Sequence, residues 1–158
     1  MFEPLTFYVF GEPAGQPRIK ARYTGKFTQI YTPTTVKNKT TGVTKRHPCA
    51  VWKEQITGAW PAAAPGWVQV EVPIMLTLCF NIPRPKSHFN SKGILKPNAP
   101  QFADKKPDAD NYAKAVMDVL TEVGAWRDDA QVVILKVVKQ YVQGGQPGCS
   151  INIRDAAL

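Results

Sequence analysis

Histidine is nearly missing from this sequence: His47 and His88 are the two imidazoles in 158 residues. Neither has the spacing of a metal ligand, and no Ser-His-Asp or Cys-His motif surrounds them, so imidazole-centred hydrolysis and zinc chemistry have little to work with. Both are expected at the surface. Cysteine is scarce too. Cys49, Cys79 and Cys149 are odd in number and far apart, which suits neither a disulfide framework nor a zinc site and fits a reducing compartment. No run approaches the roughly 18 consecutive apolar residues that a membrane span needs. The opening MFEPLTFYVF has no basic n-region and no small-residue cleavage site. Secretion is therefore not indicated, and a cytoplasmic location is expected.

Acidic residues are few as well, 12 against 20 Lys/Arg, and their placement is informative. Residues 1–60 carry nine Lys/Arg and three Asp/Glu, residues 61–107 six and two, and residues 108–158 five and seven. Half of all the acids (Asp108, Asp110, Asp118, Glu122, Asp128 and Asp129) fall in one short segment of an otherwise basic chain. A basic surface attracts polyanions through Coulomb forces and counterion release. An acidic cluster inside that field repels phosphate unless a cation sits on it. The combination is what a metal-dependent nuclease needs, and a membrane partner is not expected.

An apolar fraction of 44% allows a real core, and the length suits one domain over residues 1–158. Phe2–Phe10 reads as a strand. Residues 11–47, rich in Gly, Pro, Thr, Lys and Arg without sustained period, read as a long loop with at most short ordered pieces. A helix is expected from about Pro48 to Trp60, with Val51, Trp52, Gln55, Ile56 and Ala59 on one side and Pro61 and Pro65 closing it. Val68–Ile82 alternates as a strand, with Pro73 suggesting an edge or a bulge. Pro83–Pro107 is a polar, lysine-rich connection, a basic loop or flap. A helix from Asp108 to about Val123, stopped by Gly124, leads to strands at Gln131–Val142 and Ser150–Arg154. The expected class is α/β (α+β), with two main helices and a mixed, largely antiparallel sheet. Trp52, Trp60 and Trp126 are expected in the core or an interface.

The chemistry concentrates after Lys106. Asp108 is placed to cap the helix, where an acid also meets the positive end of the macrodipole. At about 100° per residue, Ala113, Val116, Met117 and Leu120 form the buried face. Asp110, Lys114 and Asp118 follow at i, i+4 and i+8 along its margin, as cleft-lining groups or as an ordinary ion-pair ladder. Adjacent Asp128 and Asp129 at a strand start point in roughly opposite directions. The tight Gly124 turn makes helix and strand antiparallel, so Asp129 lies near the helix end. Reaching Asp110 then takes a neighbouring element, a second subunit or a tilted crossing. An EF-hand beginning at Asp108 is excluded, because Ala113 stands where Gly is needed and Val119 where Glu is needed.

The stretches KPDADNYAKAVMDVL and GAWRDDAQVV, running on through VVKQYVQGG from Lys106 to Gly145, resemble the signature of RusA-family Holliday-junction resolvases. That signature reads K-P-D-x-D-N, a Lys four residues after the second Asp, D-x-L, then W-x-D-D-x-Q-[IV]. GEPAGQPRIKAR and YTP look, more loosely, like the N-terminal part of phage and prophage members. The resemblance implies a homodimer of mixed α/β fold that nicks four-way DNA junctions symmetrically, in recombination and repair, with Mg²⁺ or Mn²⁺. It implies Asp108, Asp110 and Asp129 as essential acids, Asp128 as a further metal-site acid and Lys114 as the active-site lysine, with Asp118 on a family acidic position. The long 11–48 segment departs from shorter members.

Arg18, Lys20 and Arg22 alternate, so in extended chain they point one way and are candidates for phosphate contacts. Arg84, Lys86, Lys92, Lys96, Lys105 and Lys106 lead into the acidic cluster and are further candidates, with Phe89 as a possible wedge at an opened junction. Two other functions fit the same sequence: a non-catalytic basic DNA-binding protein, and a nuclease of the same chemistry acting on flaps or forks.

Overall fold

The computed structural model describes residues 2–157. In chain order the elements are β1 (Leu5–Phe10), β2 (Lys20–Tyr23), β3 (Thr28–Tyr31), β4 (Thr35–Lys37), β5 (Thr44–Arg46) and α1 (Pro48–Ala63). Then come β6 (Ile74–Ile82), α2 (Ala109–Glu122), β7 (Val132–Tyr141) and β8 (Gly148–Asp155). Short 3₁₀ turns occupy Lys86–His88 and Asp129–Gln131.

One four-stranded sheet in the order β1-β8-β6-β7 carries the fold. The β1–β8 and β8–β6 pairs are antiparallel and β6–β7 is parallel, so the expected mixed, largely antiparallel sheet is observed. A parallel pair needs a crossover, and the flap at 83–107 followed by α2 provides it. Registers Leu76↔Ile153, Leu78↔Ile151 and Phe80↔Cys149 put these side chains on one face, where they are fully buried with Trp52, Ile56, Val116, Leu120 and Trp126. The opposite face carries polar cross-strand pairs, including Asn152 Nδ2 to Thr6 Oγ1 at 2.7 Å and Gln140 Nε2 to Asn81 Oδ1 at 2.9 Å. Both helices therefore pack on one side, and the other side is mixed, with Met75, Cys79, Ile134 and Val138 beside the polar pairs.

Several expectations are corrected. The buried face of α1 is Cys49, Trp52, Ile56 and Trp60, while Val51 and Gln55 are exposed: the large tryptophans set the rotation of the helix. Pro61 does not end α1, which runs to Ala63. In the last turn a proline forfeits only one intrahelical bond. Strand β6 begins after Pro73 and lies between β8 and β7, so Pro73 marks a strand start and no edge. Residues 20–46 hold two exposed two-stranded hairpins, β2–β3 and β4–β5, the short ordered pieces anticipated in that loop. Trp52, Trp60 and Trp126 are all core.

Candidate active site

Helix α2 begins at the polar end of the crossover and buries Tyr112, Ala113, Ala115, Val116, Val119 and Leu120. Met117 is half-buried. Asp108 is the N-cap residue, yet its side chain makes no capping bond. Its carboxylate faces outward, 3.8 Å from the guanidinium of Arg18. Asp110 in the first turn is exposed. Both carboxylates lie at the positive end of the helix dipole.

Two strands of chain hold this corner in place. Gln16 N–H donates to Asn111 O at 2.9 Å. The approach is so close that a Cβ on Gly15 would sit 2.7 Å from Pro107 Cβ, which is why glycine stands there. From the other side Lys139 of β7 donates to Lys105 O at 2.7 Å and Pro107 O at 2.5 Å, with its ammonium over the Tyr112 ring. Gln16, Arg18, Lys106, Pro107, Asp108 and Asn111 enclose a pocket of ≈ 210 Å³. Sequence reasoning gave Lys139 no role; the available signal was a lysine near the end of a largely apolar strand that also carries Lys136.

Lys114 and Asp118 do pair, Nζ to Oδ1 at 3.1 Å, and Lys53 of α1 adds a second bond to Asp118 Oδ2 at 2.9 Å. Burial opposes ionisation of Asp118, but hydrogen bonds and charge from Lys53 and Lys114 outweigh it and hold the carboxyl below its ordinary range. Asp118 thus serves as a junction between the helices that also orients Lys114.

The second acidic pair lies elsewhere. Asp128 accepts from Ala130 N–H at 2.7 Å as the cap of the 3₁₀ turn, and Gln131 closes the capping box. Asp129 Oδ1 accepts from the Thr121 hydroxyl and from Trp126 Nε1 at 3.2 Å. Thr121 is eleven residues beyond Asp110, about 16 Å along the helix axis at 1.5 Å per residue. Among the described residues no three His, Cys, Asp or Glu side chains come together as a metal site. Asp108, Asp110, Asp128 and Asp129 therefore do not form one constellation within a single chain. Asp108, Asp110 and Lys114 mark the first half of α2, whereas Asp129 marks its far end.

The basic residues divide as well. Arg18, Lys20 and Arg22 are exposed. Arg84 donates to Val142 O at 3.0 Å and Pro100 O at 2.8 Å and lies over the Tyr141 ring, so it pins the flap to β7 and its guanidinium is engaged. Lys86, Lys105 and Lys106 are exposed, with Lys106 on the pocket rim. Phe89 is half-buried and bridged to Leu95, whereas Phe27 and Phe102 stand out at 63% and 57% exposure. His47 caps α1, its Nδ1 accepting from Cys49 N–H at 3.1 Å, and burial together with the Lys20 charge lowers its pKa. His88 packs edge-on against Tyr141.

Against known proteins, the family model described as "Endodeoxyribonuclease RusA" matches residues 11–154. Uncharacterized protein YqaN of Bacillus subtilis (strain 168) is 37% identical over 93 residues, which is 54% of this chain and 59% of YqaN. Crossover junction endodeoxyribonuclease RusA of Escherichia coli (strain K12) is 51% identical over 41 residues, 26% of this chain and 34% of that protein. The counterpart from Enterobacteria phage 82 matches to the same extent. The chain thus spans less than two thirds of the length of these relatives.

Proposed function

The chain belongs to the RusA endodeoxyribonuclease family, and from that membership we propose that it is a single-domain, metal-dependent endonuclease that resolves four-way DNA junctions by paired nicks. The observation that carries the reading is the corner at the start of α2. There, two exposed carboxylates and a lysine stand beside exposed cationic side chains on a basic protein.

The donor set suits Mg²⁺ or Mn²⁺, since carboxylate oxygens are the ligands such hard cations take. Asp108 and Asp110 would hold the ion at the α2 N-terminus. When bound, a metal there supplies Lewis-acid polarisation of a phosphate and a water of lowered pKa. Arg18 and Lys106 draw the phosphodiester to the pocket. Lys114, steered by Asp118, offsets the charge that grows on the phosphate during displacement.

The missing third acid comes, on this reading, from a second copy. Strand β7 is an edge of the sheet. Its last residues are covered by 101–103 through Ala103 N–H to Lys139 O and Tyr141 N–H to Gln101 O. Before that, Val133, Ile134, Leu135 and Val138 are exposed, with Lys136 the one charge among them. An open apolar edge is a template for pairing. A twofold axis at its centre makes the pairing antiparallel and self-complementary. Antiparallel pairing carries the start of one β7 to the end of the other. The second copy's Asp129 then approaches the place where Lys139 holds Lys105 and Pro107, next to Asp108.

The test is cleavage of an end-labelled mobile four-way junction with Mg²⁺ or with EDTA, beside fork, flap and duplex substrates of matched sequence. Symmetric paired nicks that need metal and prefer the junction are expected. Asp110→Asn should slow cleavage by more than about 10²-fold, because metal-derived stabilisation of several kcal/mol goes with the carboxylate, while junction binding stays. Undiminished metal-dependent cleavage by pure Asp110→Asn protein would overturn the assignment, and faster cutting of forks or flaps would move the substrate.

A further inference from the structure

Residues 13–53 contain nine Lys/Arg and no Asp or Glu. From this stretch the chain builds its two hairpins, in which every residue of β2, β3, β4 and β5 is exposed. The hairpins are nonetheless fixed at their base. Arg46 forms a two-pronged pair with Glu54 of α1 at 2.6 and 3.1 Å. His47 N–H donates to Thr34 O at 2.8 Å, and Gln16 is bonded to α2. They are positioned arms whose strand residues stay exposed among the described residues.

Between the arms lies a cleft of ≈ 780 Å³ whose charged walls are Arg18, Lys20, Lys37 and Lys39, with no carboxylate among its lining residues. The β2–β3 register sets Lys20 opposite Tyr31 and Arg22 opposite Gln29, so Lys20 and Arg22 share one face, about 7 Å apart. That is on the scale of the separation between neighbouring phosphates on one DNA strand, whose rise along the duplex axis is about 3.4 Å each. The same hairpin exposes Tyr23, Phe27 and Ile30 at 71%, 63% and 70%. Apolar side chains on a purely cationic arm match a polyanion that also offers base edges and methyl groups. An ordinary protein surface, mixed in charge, offers the arm no such match. A two-stranded ribbon fits the roughly 12 Å major groove of B-DNA and not the narrow groove of A-form RNA. Arg18 lines both this cleft and the pocket that holds Asp108, so a backbone lying in the cleft leads to the acids.

We propose that the cleft between the β2–β3 and β4–β5 hairpins is a DNA-arm site, gripping the backbone of one duplex arm and passing the strand by Arg18 to the α2 corner. It rests on the junction-nuclease reading and gives that reading a substrate grip separate from its catalytic residues.

The experiment is Lys37→Glu/Lys39→Glu, assayed for four-way junction binding across a salt series and for cleavage at saturating DNA, with thermal melts as the control for folding. Binding should weaken at least tenfold near 0.1 M salt. The slope of log K against log salt should become shallower by about 2, close to one unit per phosphate contact. Cleavage at saturation should stay within about twofold of wild type. If the double variant melts early, Lys37→Gln/Lys39→Gln supplies the same reading with a shallower change. Unchanged affinity and slope would overturn the site, as would tighter binding of a matched RNA duplex, or failure of the wild-type protein to bind DNA at all. Wild-type binding without metal-dependent cleavage, still lost in the double variant, would refute the nuclease reading while leaving the DNA site standing.

Discussion

Asp118 shows how helical spacing leaves one residue open to two roles, a cleft-lining group or a rung of an ion-pair ladder, of which its pairing with Lys114 is the second. Along α2 it continues the Asp110–Lys114 stripe, but in space it lies between two ammonium groups, one from each helix. Because its pKa is lowered in the folded state, its stabilisation is complete above the unfolded carboxylate value of about 3.9 and is lost as pH falls through the lower folded value. Asp118→Asn should cost about 1–2 kcal/mol at pH 7, most of it on the Lys53 side, since the exposed Lys114 pair is screened by water. For a chain of this length that is roughly 3–6 °C in Tm. Melts at pH 7 and near pH 2.5 check it: the gap between wild type and variant should narrow toward the acid end. A gap that stays as wide there would mean Asp118 acts through packing and not through charge.

At the scale of elements, sequence patterns succeed where burial is one-sided and falter where it is not. The buried stripe of α2 was legible from Ala113, Val116 and Leu120 because the helix has a wet face and a dry one. The rotation of α1 was not, because Val51 is exposed while Trp52 and Trp60 take the core. Strand β7 read as an ordinary strand, and nothing in its β-branched run told that Val133, Ile134 and Leu135 stay in water in the single chain; which edge a strand occupies is a fact of topology. That edge carries a direct prediction. Val133→Lys/Leu135→Lys leaves the buried core untouched, so the fold should survive, while a β7–β7 pair would bring four new charges together. Sedimentation at micromolar concentration should show dimer for wild type and monomer for the variant, with junction cleavage falling alongside. A variant that remains dimeric would place the interface on another surface.

For the molecule as a whole, the turn at Gly124 already placed Asp129 at the end of α2 away from Asp110, where its bond to Thr121 puts it, but sequence spacing left open whether a neighbouring element, a second subunit or a tilted crossing closes the gap. If each site takes Asp108 and Asp110 from one chain and Asp129 from the other, two inactive proteins can restore one another. In a mixed dimer of Asp110→Asn and Asp129→Asn chains, one site carries both lesions and the other carries neither. Each homodimer should be inactive. Mixing them after brief denaturation and refolding should return activity approaching one intact site per mixed dimer, seen as a single nick per junction where wild type makes two. Sites built within one chain predict the opposite, because every site in the mixed dimer would then hold one damaged carboxylate. The assay needs only the two purified variants, a labelled junction and Mg²⁺. Its outcome decides whether the 16 Å between the acids along α2 is closed by symmetry or by movement within the chain.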